Sequence, residues 1–71
     1  MLLTSTQIAR LLARPRFWGS RAIRRGVFPV YCRKGRKAWV ELGAVEEALG
    51  IRFSPEQLRA AGVWVPEREG A

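Results

Sequence analysis

The chain is rich in guanidiniums and poor in almost every other reactive group. Its 71 residues include eleven Arg and two Lys, against six Glu and no Asp, Asn or His. A guanidinium is a planar fork of five N–H donors that matches phosphate oxygens and the guanine edge bidentately. The stretch Arg14–Pro29, RPRFWGSRAIRRGVFP, gathers five of them. At about 100° per residue, Phe17, Ser20, Arg21 and Arg24 fall on one side of a helix. Trp18, Gly19, Ala22 and Ile23 fall on the other. One face can pack while the other presents charge, a hydroxyl and an aromatic ring. The alternative is an amphipathic helix whose basic face is merely solvated.

A second cluster follows at Arg33-Lys34-Gly35-Arg36-Lys37, with four positive charges in five residues. Such a run repels itself unless an anion lies near it. Residues 1–40 carry +10 with no acid, and residues 41–71 carry −3. A wholly basic half attracts a phosphate backbone through counterion release. Catalysis has few candidates, because general acid–base and nucleophilic sites draw on His, Asp or an activated Cys. The chain is expected not to be an enzyme and to need no cofactor. Cys32 stands alone, so no disulfide can form within the chain and a zinc site has too few ligands. It reads as a small buried hydrophobe. No segment has the roughly 20 apolar residues of a membrane span. Met1-Leu2-Leu3 runs straight into a helix start, so no signal peptide is expected.

Several elements must position these groups. Thr4 and Gln7 have the spacing of a capping box, with Leu3 and Ile8 as its staple. The first helix is expected over 5–13, with Ile8, Ala9, Leu11 and Leu12 inward and Gln7, Arg10 and Arg14 outward. The second is expected over Pro15–Arg25, with Pro15 at the first helical position and Gly26 just past the end. Two short helices joined so closely read as a helix-turn-helix or as an ordinary helical hairpin. Val30–Arg33 and Lys37–Glu41 read as strands joined by the turn Lys34-Gly35-Arg36. Alternation sets Val30 with Cys32, and Ala38 with Val40. A third helix is expected over Leu42–Leu49, with Leu42, Val45 and Leu49 inward and Gly50 as its stop. Ser54 and Gln57 form a second capping box, stapled by Phe53 and Leu58, for a helix to Ala61 ended by Gly62. Val63-Trp64-Val65 is an apolar segment outside the helices. It either completes a small core or anchors a protein interface. Residues 67–71 read as a frayed tail.

Taken in order, Leu3-Thr4 with Ala9-x-Leu11-Leu12, then Ile23-Arg24-x-Gly26-x-x-Pro29, then Gly35-Arg36-Lys37 with Trp39, carry a likeness. Over about residues 3–49 the chain resembles the winged-helix domains of phage excisionases and the DNA-binding domains of MerR-type regulators. It departs from them at Arg14-Pro15, where Ser or Thr is usual, and at Gly19, where a β-branched residue is usual. The resemblance implies one α+β winged-helix domain with the second helix in the major groove and the hairpin in the adjacent minor groove. On that basis Arg16, Phe17, Ser20, Arg21, Arg24 and Arg25 are the expected helix contacts. Arg33, Lys34, Arg36 and Lys37 are the expected wing contacts, and Arg10 and Arg14 the flanking phosphate contacts. The expected partner is double-stranded DNA, with an integrase or a second copy beside it, in the cytoplasm on the nucleoid. A small transcriptional regulator and a protein-binding adaptor are the other readings.

Overall fold

Thr4 is where a strand becomes a helix, and the first half of the molecule is pinned there. The computed structural model describes residues 1–65, as a small α+β fold with four helices and one three-stranded antiparallel sheet. The frayed tail expected at 67–71 lies outside the described residues. Leu2–Thr4 is a short strand, β1, followed at once by α1, Ser5–Leu11. The capping box is present: the Gln7 N–H donates to Thr4 Oγ1 at 3.3 Å, and the Thr4 N–H donates to Gln7 Oε1 at 2.9 Å. Leu3 and Ile8, the staple pair, are both fully buried. The strand β1 was not expected. Its pairing partner is distant in sequence, with Leu3 opposite Val40 and Thr4 opposite Trp39.

The first helix stops at Leu11 rather than at residue 13. Its last turn closes with two reversed bonds, Ala13 N–H to the Arg10 carbonyl and Arg14 N–H to the Ala9 carbonyl. This pair is a Schellman motif, which demands a left-handed residue after the cap. Here that residue is Ala13, at φ 53, a conformation that costs a non-glycine residue about 1 kcal/mol. The chain therefore turns without a glycine to announce it. The second helix, α2, spans Trp18–Arg24, not Pro15–Arg25. Pro15 heads a turn instead, its carbonyl accepting from the Trp18 N–H at 2.9 Å. Arg16 precedes the helix, and Phe17 takes the cap position without a side-chain bond. At the other end Gly26 (φ 80) supplies the same motif, with Val27 N–H bonded to the Ala22 carbonyl.

Gly19, Ala22 and Ile23 are buried, as the helical spacing predicts, with Trp18 half-buried beside them. The departure at Gly19 has a local cause. A Cβ there would overlap the Ser5 carbonyl, so α1 and α2 touch backbone to backbone. Gly43 faces open space. Gly19→Ala is therefore expected to destabilise by about 2–3 kcal/mol through overpacking. Gly43→Ala is expected to stabilise by about 0.5–1 kcal/mol through helix propensity. Urea denaturation of the two variants reads both, and equal signs would contradict the close approach.

The hairpin strands are β2, Cys32–Lys34, and β3, Lys37–Glu41; sheet order is β1-β3-β2. The turn is two residues, Gly35-Arg36, with Lys34 paired to Lys37. A three-residue turn was expected, and the difference matters. One register step moves every side chain of a strand to the opposite face. Cys32 thus stands opposite Trp39 on the outer face and is exposed, not buried. Ala38 and Val40 face inward with Leu3, while Val30, ahead of the strand, packs at the core margin.

Helix α3, Leu42–Leu49, matches its expected range, with Val45 buried and Leu42 and Leu49 packed against the core. Gly50 ends it in the left-handed region. The Glu46 carboxylate then accepts the Phe53 N–H at 2.9 Å, holding the next connection. Helix α4, Pro55–Ala60, opens on the expected Ser54–Gln57 box and stops one residue before Ala61. Leu58, Ala61 and Val63 join Leu3, Ile8, Ala22, Ile23, Phe28, Val40 and Val45 in one core. Gln7, placed outward by the sequence, also donates to the Gly62 carbonyl at 3.0 Å and ties α1 to the C-terminal segment.

Candidate nucleic-acid interface

All ten basic residues of the first forty are exposed. The fold buries the apolar half of α2 and so leaves Arg21, Arg24 and the following Arg25 in solvent. Arg21 and Arg24 lie in the last turn, where a cation also suits the helix dipole. Ser20 is half-buried, and its hydroxyl donates to the Phe17 carbonyl at 3.1 Å.

The connection Arg14–Phe17 carries a separate group of side chains. The Arg14 guanidinium lies over the Trp18 ring at 5.7 Å from its centroid, and Arg16 lies over Phe17 at 5.3 Å. Such contacts hold a guanidinium on a ring face without removing its N–H donors from solvent. Arg16 and Phe17 were expected within the helix; they stand at its entrance, with Phe17 60% exposed. Arg10, Arg14 and Arg16 line one open cleft together with Thr6 and Ala9. The two residues expected to flank the contact surface, Arg10 and Arg14, are thus neighbours there.

The hairpin brings Arg33 and Arg36 to Arg24. These three line a cup between α2 and the sheet, with Ser5 and Ser20 on its wall. Helix face and hairpin tip are therefore one continuous surface. Lys34 and Lys37 pair across the turn, on the face opposite to Arg33 and Ala38. Nothing local in the sequence singles out Ser5, since its place at the cup depends on how α1 meets α2. Tyr31, 66% exposed at the root of the hairpin, was also passed over.

Basic charge here is not neutralised locally. Among the described residues one ion pair is present, from the Met1 ammonium to Glu41 Oε1 at 2.9 Å. No group of three His, Cys, Asp or Glu that could hold a metal ion occurs among the described residues. No helix among them is long and apolar enough to cross a membrane.

The segment Val63-Trp64-Val65 splits. Val63 is 4% exposed and belongs to the core; Val65 packs at the core margin. Trp64 is 78% exposed. It borders a groove with Met1, Leu2 and Trp39 on the outer sheet face. No family model, curated protein or solved structure matches the chain.

Proposed function

We propose that the chain is a winged-helix protein that binds duplex DNA, with α2 in the major groove and the β2–β3 hairpin in the adjacent minor groove. One observation carries this reading: Arg24 of α2 and Arg33 and Arg36 of the hairpin line one cup, so two basic elements act as a single surface. That surface is built from a region of +10 without an acid, which favours a polyanion over a small ligand. The resemblance to excisionases makes the role an accessory one, in which the bound protein bends or decorates a recombination site beside an integrase. A small transcriptional regulator of MerR-like type uses the same contacts. Both roles belong on the nucleoid and require neither metal nor cofactor.

The two elements should differ in what they read. On a duplex selected from a random pool, Arg21→Ala is expected to cost about 1–3 kcal/mol and to relax the sequence preference. Lys34→Ala and Lys37→Ala should weaken all duplexes more evenly, because a Lys ammonium acts as a point charge. Competition titrations against selected and scrambled duplexes measure both. A wing variant that changes specificity beside a helix variant that does not would reverse the assignment.

A second reading, a protein-binding adaptor, is favoured by Trp64 alone. An exposed Trp beside Leu2 and Trp39 is the kind of anchor protein interfaces use. Trp64→Ala is expected to change stability by no more than about 0.5 kcal/mol and to leave single-site duplex affinity intact. Loss of duplex affinity in that variant would place Trp64 in the DNA surface and remove the adaptor reading.

A further inference from the structure

We infer that the cup between α2 and the hairpin seats one phosphodiester of the DNA backbone, so that Arg24 fixes register and does not read a base. The inference rests on the duplex-binding reading and narrows it. The cup has a volume of about 140 Å³ and is lined by Ser5, Ser20, Ile23, Arg24, Arg33, Arg36 and Ala38. Three arginines thus line it from separate parts of the fold: one from the last turn of α2, one from β2 and one from the hairpin turn.

Their surroundings select for an anion. Among the described residues no carboxylate forms an ion pair with Arg24, Arg33 or Arg36. Like charges held together repel, and an oxyanion between them removes that repulsion. Ile23 is buried and Ala38 half-buried, so part of the wall is apolar, which strengthens charge interactions at the cup. Guanidinium forks bind phosphate oxygens in pairs, and arginines rooted in three parts of the fold can reach a tetrahedral group from different sides. The Ser20 hydroxyl rests on the Phe17 carbonyl at 3.1 Å and can rotate to serve an oxygen in the cup. The Ser5 hydroxyl makes no side-chain hydrogen bond among the described residues and stands at the same wall.

The source of the phosphate follows from where the cup lies. It sits between the helix assigned to one groove and the hairpin assigned to the next, and a strand backbone crosses between grooves there. A phosphate held at that point sets the register of both elements while carrying no sequence information itself. Arg21, which does not line the cup, keeps the base-reading role.

Two measurements on the full chain test this. In the first, inorganic phosphate is titrated while NMR follows the Arg side-chain Nε–H and Ser5 and Ser20 amide signals. The expected result is a saturable shift confined to Arg24, Arg33, Arg36 and the two serines, lost in Arg24→Gln and in Arg36→Gln. Arg52→Gln, in a separate part of the surface, should leave it unchanged. In the second, the selected duplex is synthesised with one neutral methylphosphonate at each position in turn. One position should cost the wild type about tenfold or more in affinity and cost Arg24→Gln nothing further. If the duplex binds but no position couples to Arg24, the seat is refuted and the duplex-binding reading stands. If inorganic phosphate saturates the cup but no duplex binds, both the reading and the backbone assignment fall, and the cup is a free-phosphate site. Circular dichroism confirms that the glutamine variants, changed only at exposed positions, remain folded.

Discussion

Phe28→Ala is expected to bring the domain close to unfolding at room temperature. Phe28 is the largest fully buried side chain, at 1% exposure. Its ring meets Trp18 at 6.3 Å between centroids, tilted by 60°, a geometry that aromatic pairs favour. Gly26 makes this possible: its left-handed backbone reverses the chain and drops Phe28 beneath α2. Removing a buried Phe costs about 3–5 kcal/mol. A chain of this length holds roughly 4–10 kcal/mol in total, so one residue controls a large part of it. Thermal melts should shift down by about 15–30 °C or lose their cooperative transition. Phe28→Leu keeps most of the volume and should cost under about 1.5 kcal/mol. A shift of only a few degrees for Phe28→Ala would mean that the core is organised around other residues.

Local pattern does not single out Phe28, which stands between the end of one helix and the start of a strand. That shows which kind of information the chain exposes locally. Lys37–Glu41 and Leu42–Leu49 were legible to the residue, because alternation, helical spacing and a glycine stop all agree there. Both capping boxes were legible because four consecutive residues suffice to form one. Strand β1 was not, because three residues carry no period and its partner Val40 is 37 positions from Leu3. The start of α2 was misplaced for a different reason. Proline at a first helical turn is a sound rule, but Ala13 turns the chain first, and an alanine gives no sign of a left-handed residue. Cys32 shows how little separates a core residue from a surface one. A turn of two residues where three were expected changed its face.

For the candidate site, chemistry was more legible than arrangement. Ten exposed basic residues follow directly from a +10 segment with a small core. That Arg24, Arg33 and Arg36 meet at Ser5 and Ser20 could not be read locally. It depends on how the hairpin lies against α2, and that depends on β1 completing the sheet and on Gly19 letting α1 and α2 touch. The shape of this basic surface is set by a glycine and a strand that carry no charge.

The second large effect is electrostatic. Ten exposed cations with no acid among them should neutralise about five to seven phosphates of a duplex. The affinity should then fall with a log–log salt slope near −4 to −6, or roughly 250- to 4,000-fold between 50 and 200 mM salt. Residues 41–71, at −3, should face away from the duplex and contribute little to the slope. Arg36→Ala, which removes one guanidinium from the cup, should reduce the slope by about one. Arg59→Ala, on α4, should leave it unchanged.

Duplex binding is tested most directly by one titration, fluorescence anisotropy of a labelled duplex with the full chain across a series of salt concentrations. Duplex binding through α2 and the hairpin predicts tight association at low salt, a slope near −4 to −6, and a smaller slope for Arg36→Ala alone of the two variants. A flat salt response, or no association with any duplex at low salt, would contradict it.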